Sequence, residues 1–241
     1  MEGIDAVTFY PLGNSALLVK WGNAINREIS HRVNALAIAI NNHPFVGLVD
    51  VVPAYSSLTI IFDTVLVKKE NPTFNSANDY VKHYTGLLLP QLTNIKEETL
   101  AVIEIPVCYD GRLQNDLREV SNSRQLSIED IISIHTRYPY YVYMQGFIPG
   151  FAYMGELDER LNLPRKLKPY SVRAGAVGIA GRQTGIYPTN SPGGWHILGY
   201  TPLQLFNATK SPPCLLIPGT LVQFKAIDYD EFCLLKMQTD L

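Results

Sequence analysis

The sequence predicts two domains of different class: an α+β sandwich of the ferredoxin-like kind over residues 1–95, and a mainly-β barrel or sandwich over 101–241. Three observations predict this. The first hundred residues alternate strand-period and helix-period apolar patterns in the order β-α-β-β-α. The polar stretch Thr93 to Thr99 then interrupts every periodicity and marks the boundary. Beyond it, 11 of the 17 glycines fall between Gly146 and Gly219, and ten of the 16 prolines between Pro139 and Pro218. Such density breaks helices and fixes turns, so short strands and structured loops are expected there.

Each element has its own signal. Val7 and Phe9, then Ala16 to Val19, flank a turn at Pro11-Leu12-Gly13-Asn14 and read as a hairpin or bent strand. Ile25, Ile29, Val33, Leu36, Ala37 and Ile40 recur at helical spacing, and Pro44 ends that helix. Val46 to Val52 and Leu58 to Phe62 form a second strand pair around Pro53 to Ser57. Ser76 caps a further helix with Ala77, Tyr80, Val81, Tyr84, Leu88 and Leu92 on its buried side. Ala101 to Val107 is available as the strand that closes this sandwich. In the second half one helix is expected, opening at Ser127-Ile128-Glu129-Asp130 and running through Ile134. Cys214 through Leu235 reads as two more strands around Pro218-Gly219.

Composition excludes several function classes. The chain has 241 residues, 46% hydrophobic and 17% charged, enough for packed cores and too apolar for wholesale disorder. Twenty Lys and Arg against 22 Asp and Glu give a net charge of -2, a poor basis for phosphate-driven nucleic-acid binding. No apolar run approaches the roughly 20 residues that span a bilayer, and Met1 to Asp5 lacks a signal-peptide pattern, so a soluble, cytoplasmic protein is expected. Cys108, Cys214 and Cys233 form no CxxC pair, and the five histidines show no ligand spacing. No metal site or disulfide framework is therefore expected.

Two segments stand out for chemistry. Gln145 to Tyr153 places Phe147, Phe151 and Tyr153 around Pro149 with a glycine on either side, which suits either a rigid binding loop or a core corner. Arg173 to Pro188, followed by Ser191-Pro192-Gly193-Gly194-Trp195-His196, offers small residues that admit a ligand, or simply tight barrel turns. Arg173 and Arg182 bracket this second segment and can clamp a phosphate or carboxylate. No Walker loop, nucleophile elbow or zincin motif occurs.

These same runs carry a family resemblance. Phe9 to Val19, Ile105 to Tyr109, Gly146 to Met154, Leu163-Pro164-Arg165 and the stretch from Ala174 through Gly199 resemble the PxpB/KipI family, whose members are also called 5-oxoprolinase B subunits or allophanate hydrolase subunit 1. The likeness spans nearly the whole chain. It departs at Asn14, where the family usually has Asp, and at Tyr200, where Arg is frequent. The resemblance implies a cyclophilin-like barrel after the ferredoxin-like domain; likeness to cyclophilin concerns fold alone. It also implies work with a PxpC/KipA-like C subunit, and with an A subunit, in ATP-dependent opening of 5-oxoproline to glutamate.

Under that resemblance ATP is bound by the assembled complex, and no activity is expected of the chain alone. ATP is needed because an unactivated lactam resists water, and phosphorylation of its amide oxygen makes the carbon electrophilic. Charge developing on oxygen calls for cationic or N–H donors. The expected catalytic residues are Arg173, Gln183, Tyr187 and His196, the last two for proton transfer. Gln145, Phe147, Pro149, Phe151, Tyr153, Arg182, Ser191, Gly193, Gly194 and Trp195 are expected to line the substrate site or the partner interface. The two loops are expected to converge on one concavity beside Gln183 and Tyr187. The same family resemblance leaves two other functions open: inhibition of a sensor histidine kinase, or a carboxyltransferase component of a urea-metabolising complex.

Overall fold

A computed structural model describes residues 7–94 and 102–239, which form two compact units. Met1 to Asp5, and most of the expected boundary at Thr93 to Thr99, lie outside the described residues. Among the described residues no helix is long and apolar enough to cross a membrane.

The first unit runs β1 (Thr8–Pro11), β2 (Ala16–Lys20), α1 (Arg27–Asn42), β3 (Leu48–Pro53), β4 (Ser57–Phe62), α2 (Thr64–Glu70) and α3 (Ala77–Leu88). Its four strands form one antiparallel sheet in the order β1-β2-β4-β3. Leu17, Val19, Leu58, Ile60 and Phe62 alternate onto one face, where Ile29, Val33, Leu36 and Ile40 of α1 and Val81 of α3 bury them. The helix starts follow the sequence signals. Asn26 accepts from the Ile29 N–H, and Ser76 forms a reciprocal capping box with Asp79. Ile25 stands outside α1, half exposed, because Asn26 takes the cap position.

The sheet closes differently from the expected arrangement. The position beside β2 is filled by β1, folded back through a turn where Gly13 sits at φ +65°, and not by residues 101–107. That segment instead becomes β5 (Val102–Cys108) in the second unit, pairing in parallel with β13 (Leu221–Ile227). Ile105 and Val107 are fully buried there, which a place at the edge of the first sheet would not provide.

The second unit continues with α4 (Leu117–Arg124), α5 (Ile128–Thr136), β6 (Tyr140–Gln145), β7 (Ala152–Gly155), β8 (Tyr170–Val172), β9 (Ala176–Ala180), β10 (Gln183–Ile186), β11 (Ser191–Gly193), β12 (His196–Tyr200), β13 and α6 (Tyr229–Thr239). Seven strands close a barrel in the order β10-β7-β6-β13-β5-β12-β9, while β8 and β11 pair as a separate ribbon. Val142, Met154, Val177, Ile179, Ile186, Leu198, Val222 and Phe224 share one buried cluster with Leu117, Val120, Ile131 and Ile134 of α4 and α5.

Two expectations for this unit need correction. Among the described residues three α-helices are present rather than one. The expected second C-terminal strand is α6: Asp228 accepts from the Glu231 N–H, and the apolar run Phe232 to Leu235 packs from a helix. Cys214 forms only an isolated bridge with Phe206, so β13 is the one strand of that region.

A polar chain crosses the barrel core. Fully buried His135 meets the Tyr109 hydroxyl at Nδ1 (2.8 Å) and Thr184 Oγ1 at Nε2 (3.0 Å), and Thr184 Oγ1 donates to the Gly178 carbonyl at 3.1 Å. Because the Thr184 hydrogen is spent on that carbonyl, His135 must be the Nε2–H tautomer, with Tyr109 donating to Nδ1. Its ring stacks on Phe224 with centroids 4.6 Å apart. Burial lowers the His135 pKa to about 3, so it is neutral in the folded protein.

The unfolded chain takes up this proton near the ordinary value of 6.5, so the stability contributed by neutral His135 is complete above that pH. It is lost as pH falls toward 3, at up to about 1.4 kcal/mol per pH unit. In urea titrations the wild type should be more stable than His135→Gln at about pH 7.5, and this gap should narrow steadily by about pH 4.5.

Candidate functional site

The two singled-out segments meet on the outer side of the barrel. Side chains of β7, β9 and β10 alternate inward and outward, and the outward positions of β9 and β10 include Gly178 and Gly185, which pair directly in register. Trp195 and Phe151 lie on this bare patch. A Cβ on Gly185 would come within 3.0 Å of the Phe151 ring and 3.1 Å of the Trp195 ring, and one on Gly178 within 3.3 Å of Trp195 Cβ. Phe151 stands edge-on to Trp195 at 5.4 Å and to Tyr187 at 5.2 Å, with Tyr153 4.8 Å from Phe151 and 5.9 Å from Trp195. Such ring pairs contribute about 0.5–1.5 kcal/mol each beyond their burial.

Phe147 completes the group from outside. It is 60% exposed at φ +68°, a backbone region that a bulky residue rarely occupies, with its ring edge-on to Phe151 at 5.7 Å and Tyr187 at 6.4 Å. The turn that holds it is fixed by Gly150 at φ +85°, where a Cβ would strike Phe206, and by the Gly146 N–H donating to the Phe151 carbonyl. Pro149 is exposed at the tip, while the Gln145 amide reaches inward to the Leu216 carbonyl at 2.5 Å.

Phe147, Phe151, Tyr153, Tyr187, Gly193 and Trp195 are thus brought together and pack against one another. Phe151, Tyr187 and Trp195 are buried, and Gly193 is glycine because the Tyr187 ring lies against it. Gly194 has only the Lys166 carbonyl within reach, and Ser191 pairs with Val172 in the ribbon.

The expected catalytic group does not converge. Gln183 sits beside the β9–β10 turn, four residues along the strand from Tyr187, roughly 13 Å at the usual rise. Arg182 is on that same turn, with Glu159 3.6 Å away and its side chain largely in solvent. Arg173 donates to the Leu113 carbonyl at 2.5 Å and lies over the Tyr200 ring at 4.9 Å, so the two arginines do not form a clamp. Tyr200 is therefore the platform for an arginine from another loop. Asn14 contributes its backbone carbonyl, to the Thr64 hydroxyl at 2.6 Å, a role that does not distinguish Asn from Asp.

Burial pushes the Tyr187 phenol up, while a Trp195 backbone hydrogen bond and nearby Arg165 act in the opposite direction; the hydroxyl stays protonated. His196 turns away from Trp195: its Nε2 meets the Pro164 carbonyl at 3.0 Å, and Nδ1 lies 3.5 Å from Glu119.

His196 leads instead to a polar cluster that no sequence motif marks. Asp116 accepts from Lys166 Nζ (2.8 Å), the Tyr170 hydroxyl (2.7 Å) and the Ile197 N–H (2.7 Å). Lys166 also reaches Glu119 at 2.9 Å, and Tyr170 lies 3.1 Å from the Trp195 carbonyl. Burial and then Asp116 push the Tyr170 phenol well up. For Lys166, burial opposes the charge, but its two carboxylate partners outweigh burial and raise the pKa. No spacing announces these residues, because 50 and 54 positions separate Lys166 and Tyr170 from Asp116.

Three substitutions test this geometry. Gly193→Ala puts a methyl 2.5 Å from the Tyr187 hydroxyl and should cost about 1–3 kcal/mol in urea unfolding. Gly194→Ala, at 3.4 Å from its nearest neighbour, should stay within about 0.5 kcal/mol of the wild type. Asp116→Ala strands the Ile197 N–H and loosens Lys166, and should cost about 2–3 kcal/mol in the same assay.

Residues 7–216 match the carboxyltransferase domain family, subdomains C and D. The chain is 42% identical to the 5-oxoprolinase B subunit of Bacillus subtilis, over 92% of this chain and 93% of that one. It superposes on crystalline TTHA0988 with TM-score 0.72 and 37% identity, covering 88% of this chain but only 40% of TTHA0988. Urea amidolyase of Saccharomyces cerevisiae is similar at 25% identity, with 93% of this chain matching 13% of that much longer protein. The chain belongs to the carboxyltransferase subdomain C and D family, alongside the bacterial 5-oxoprolinase B subunits.

Proposed function

We propose that this protein is the B subunit of a cytoplasmic, ATP-dependent 5-oxoprolinase, and opens 5-oxoproline to glutamate together with the C and A subunits. The observation that carries this reading is the 42% identity to a 5-oxoprolinase B subunit over almost the full length of both chains. In fold terms we read the barrel as cyclophilin-like. We read the first unit as a ferredoxin-like sandwich whose fourth strand comes from the N-terminal hairpin, an arrangement supported by the order β1-β2-β4-β3.

The geometry favours a shared site over a self-sufficient one. A nucleotide triphosphate needs several cations with unspent donors, and three of the cations near the glycine motifs already have partners. Arg173 is held by a carbonyl and a ring, Lys166 by two carboxylates, and Arg182 faces Glu159. ATP therefore belongs with the partner subunits in this reading. What the motif region turns outward is Phe147, a preset aromatic of the kind that anchors protein interfaces.

A second reading has its own support: the family is named for carboxyl transfer, and urea amidolyase matches nearly this whole chain. One assay separates the two. The purified chain and its C and A subunits should together release ADP in response to 5-oxoproline, and the chain alone should release none. Robust turnover by the chain alone would refute the shared site. Silence of all three together, with biotin-dependent carboxyl transfer in its place, would move the assignment to the second reading.

A further inference from the structure

Residues 164–169, Pro-Arg-Lys-Leu-Lys-Pro, form a loop that the aromatic cluster does not absorb. Leu167 at its tip is 101% exposed, with Arg165 and Lys168 exposed on either side. The loop is nevertheless firmly tied down. The Lys166 N–H donates to the Gly194 carbonyl at 2.8 Å, the Pro164 carbonyl accepts from His196, Lys166 Nζ is held by Asp116 and Glu119, and Tyr170 closes the far end on Asp116. Among the described residues no carboxylate comes within ion-pair distance of Arg165 or Lys168. The Arg165 guanidinium lies 6.0 Å over the Trp195 ring.

Pinned at these points, the loop holds its leucine fully exposed. Its ordering cost is already met in the free chain, which is what a preorganised docking element requires. An apolar tip between two unneutralised cations fits a shallow apolar pocket rimmed by carboxylates. We infer that the 164–169 loop is a docking peg for an acidic-rimmed pocket on the C subunit, an inference that rests on the proposed 5-oxoprolinase assembly. Two cations and one leucine are too few for a membrane anchor, which takes clusters of about four to eight basic residues.

The test is a binding titration between the full-length chain and its purified C subunit. Leu167→Asp, and separately the pair Arg165→Glu with Lys168→Glu, should each weaken binding by about 10- to 100-fold. Their far-UV spectra and melting temperatures should match the wild type, since these side chains are exposed. The wild-type affinity should fall with rising salt, and that dependence should flatten in the charge-reversed pair. Variants that bind within about twofold of the wild type would overturn the peg while leaving the proposed assembly intact. A wild type that fails entirely to bind the C subunit would overturn both. Co-sedimentation of the wild type with phosphatidylglycerol vesicles, lost in the charge-reversed pair, would reassign the loop to lipid and overturn the protein docking.

Discussion

Trp195 can lie flat on the barrel only because the sheet beneath it has no side chains. That steric condition organises most of the second unit. Gly178 and Gly185 face each other across β9 and β10, and the ring that covers them is held from the other side by Phe151 and Tyr153. Tyr187 then needs Gly193 to pass, and Phe151 needs the Gly150 turn to enter at the right height. Side chains on this floor would lift Trp195, and with it the ribbon of β8 and β11 and the chain entering β12. Interiors are packed too densely to absorb such a change without loss.

Asp116 shows a second kind of dependence, a competition between local and distant partners. It occupies the N-cap position of α4, where a carboxylate ordinarily accepts from the first turn of its own helix, a contribution of about 1 kcal/mol. Here α4 starts with no side-chain cap. The carboxylate turns to Lys166, Tyr170 and the Ile197 N–H, and the Asp116 N–H itself donates to the Ile197 carbonyl at 2.6 Å. Three partners, partly shielded from water, outweigh one cap. Through this choice α4, β12 and the loop after Leu163 become one mechanical unit.

These two arrangements bear on function. The residues of the two glycine-rich motifs are used largely on one another, which is a packing solution as much as a chemistry. What remains turned outward is Phe147, at a conformation that only its surroundings could hold in place, and a basic, leucine-tipped loop fastened by a half-buried ion pair. A surface of that make-up suits assembly.

Much of this was legible in order along the chain. Helix α1, the Ser76 and Ser127 caps and the turn-rich barrel half follow from spacing, capping chemistry and glycine and proline density, all properties of neighbours in sequence. Helix α6 was open to the same reading through Asp228, but the apolar run after it reads equally well as a strand. The membership of Phe147, Phe151, Tyr153, Tyr187 and Trp195 in one cluster was also readable, because two motifs carried all five. Tertiary structure alone decided the rest. Segment 102–108 has strand character in either unit, and only its parallel pairing with β13, more than a hundred residues away, puts it in the barrel. Gln183 and Tyr187 look adjacent in sequence yet stand apart, since a strand separates its residues by about 3.3 Å each. His196 follows Trp195 directly but faces the opposite way, because side chains in β-structure alternate. Asp116, Lys166 and Tyr170 meet only when α4 and β12 pack, and no local pattern encodes a contact across 50 residues.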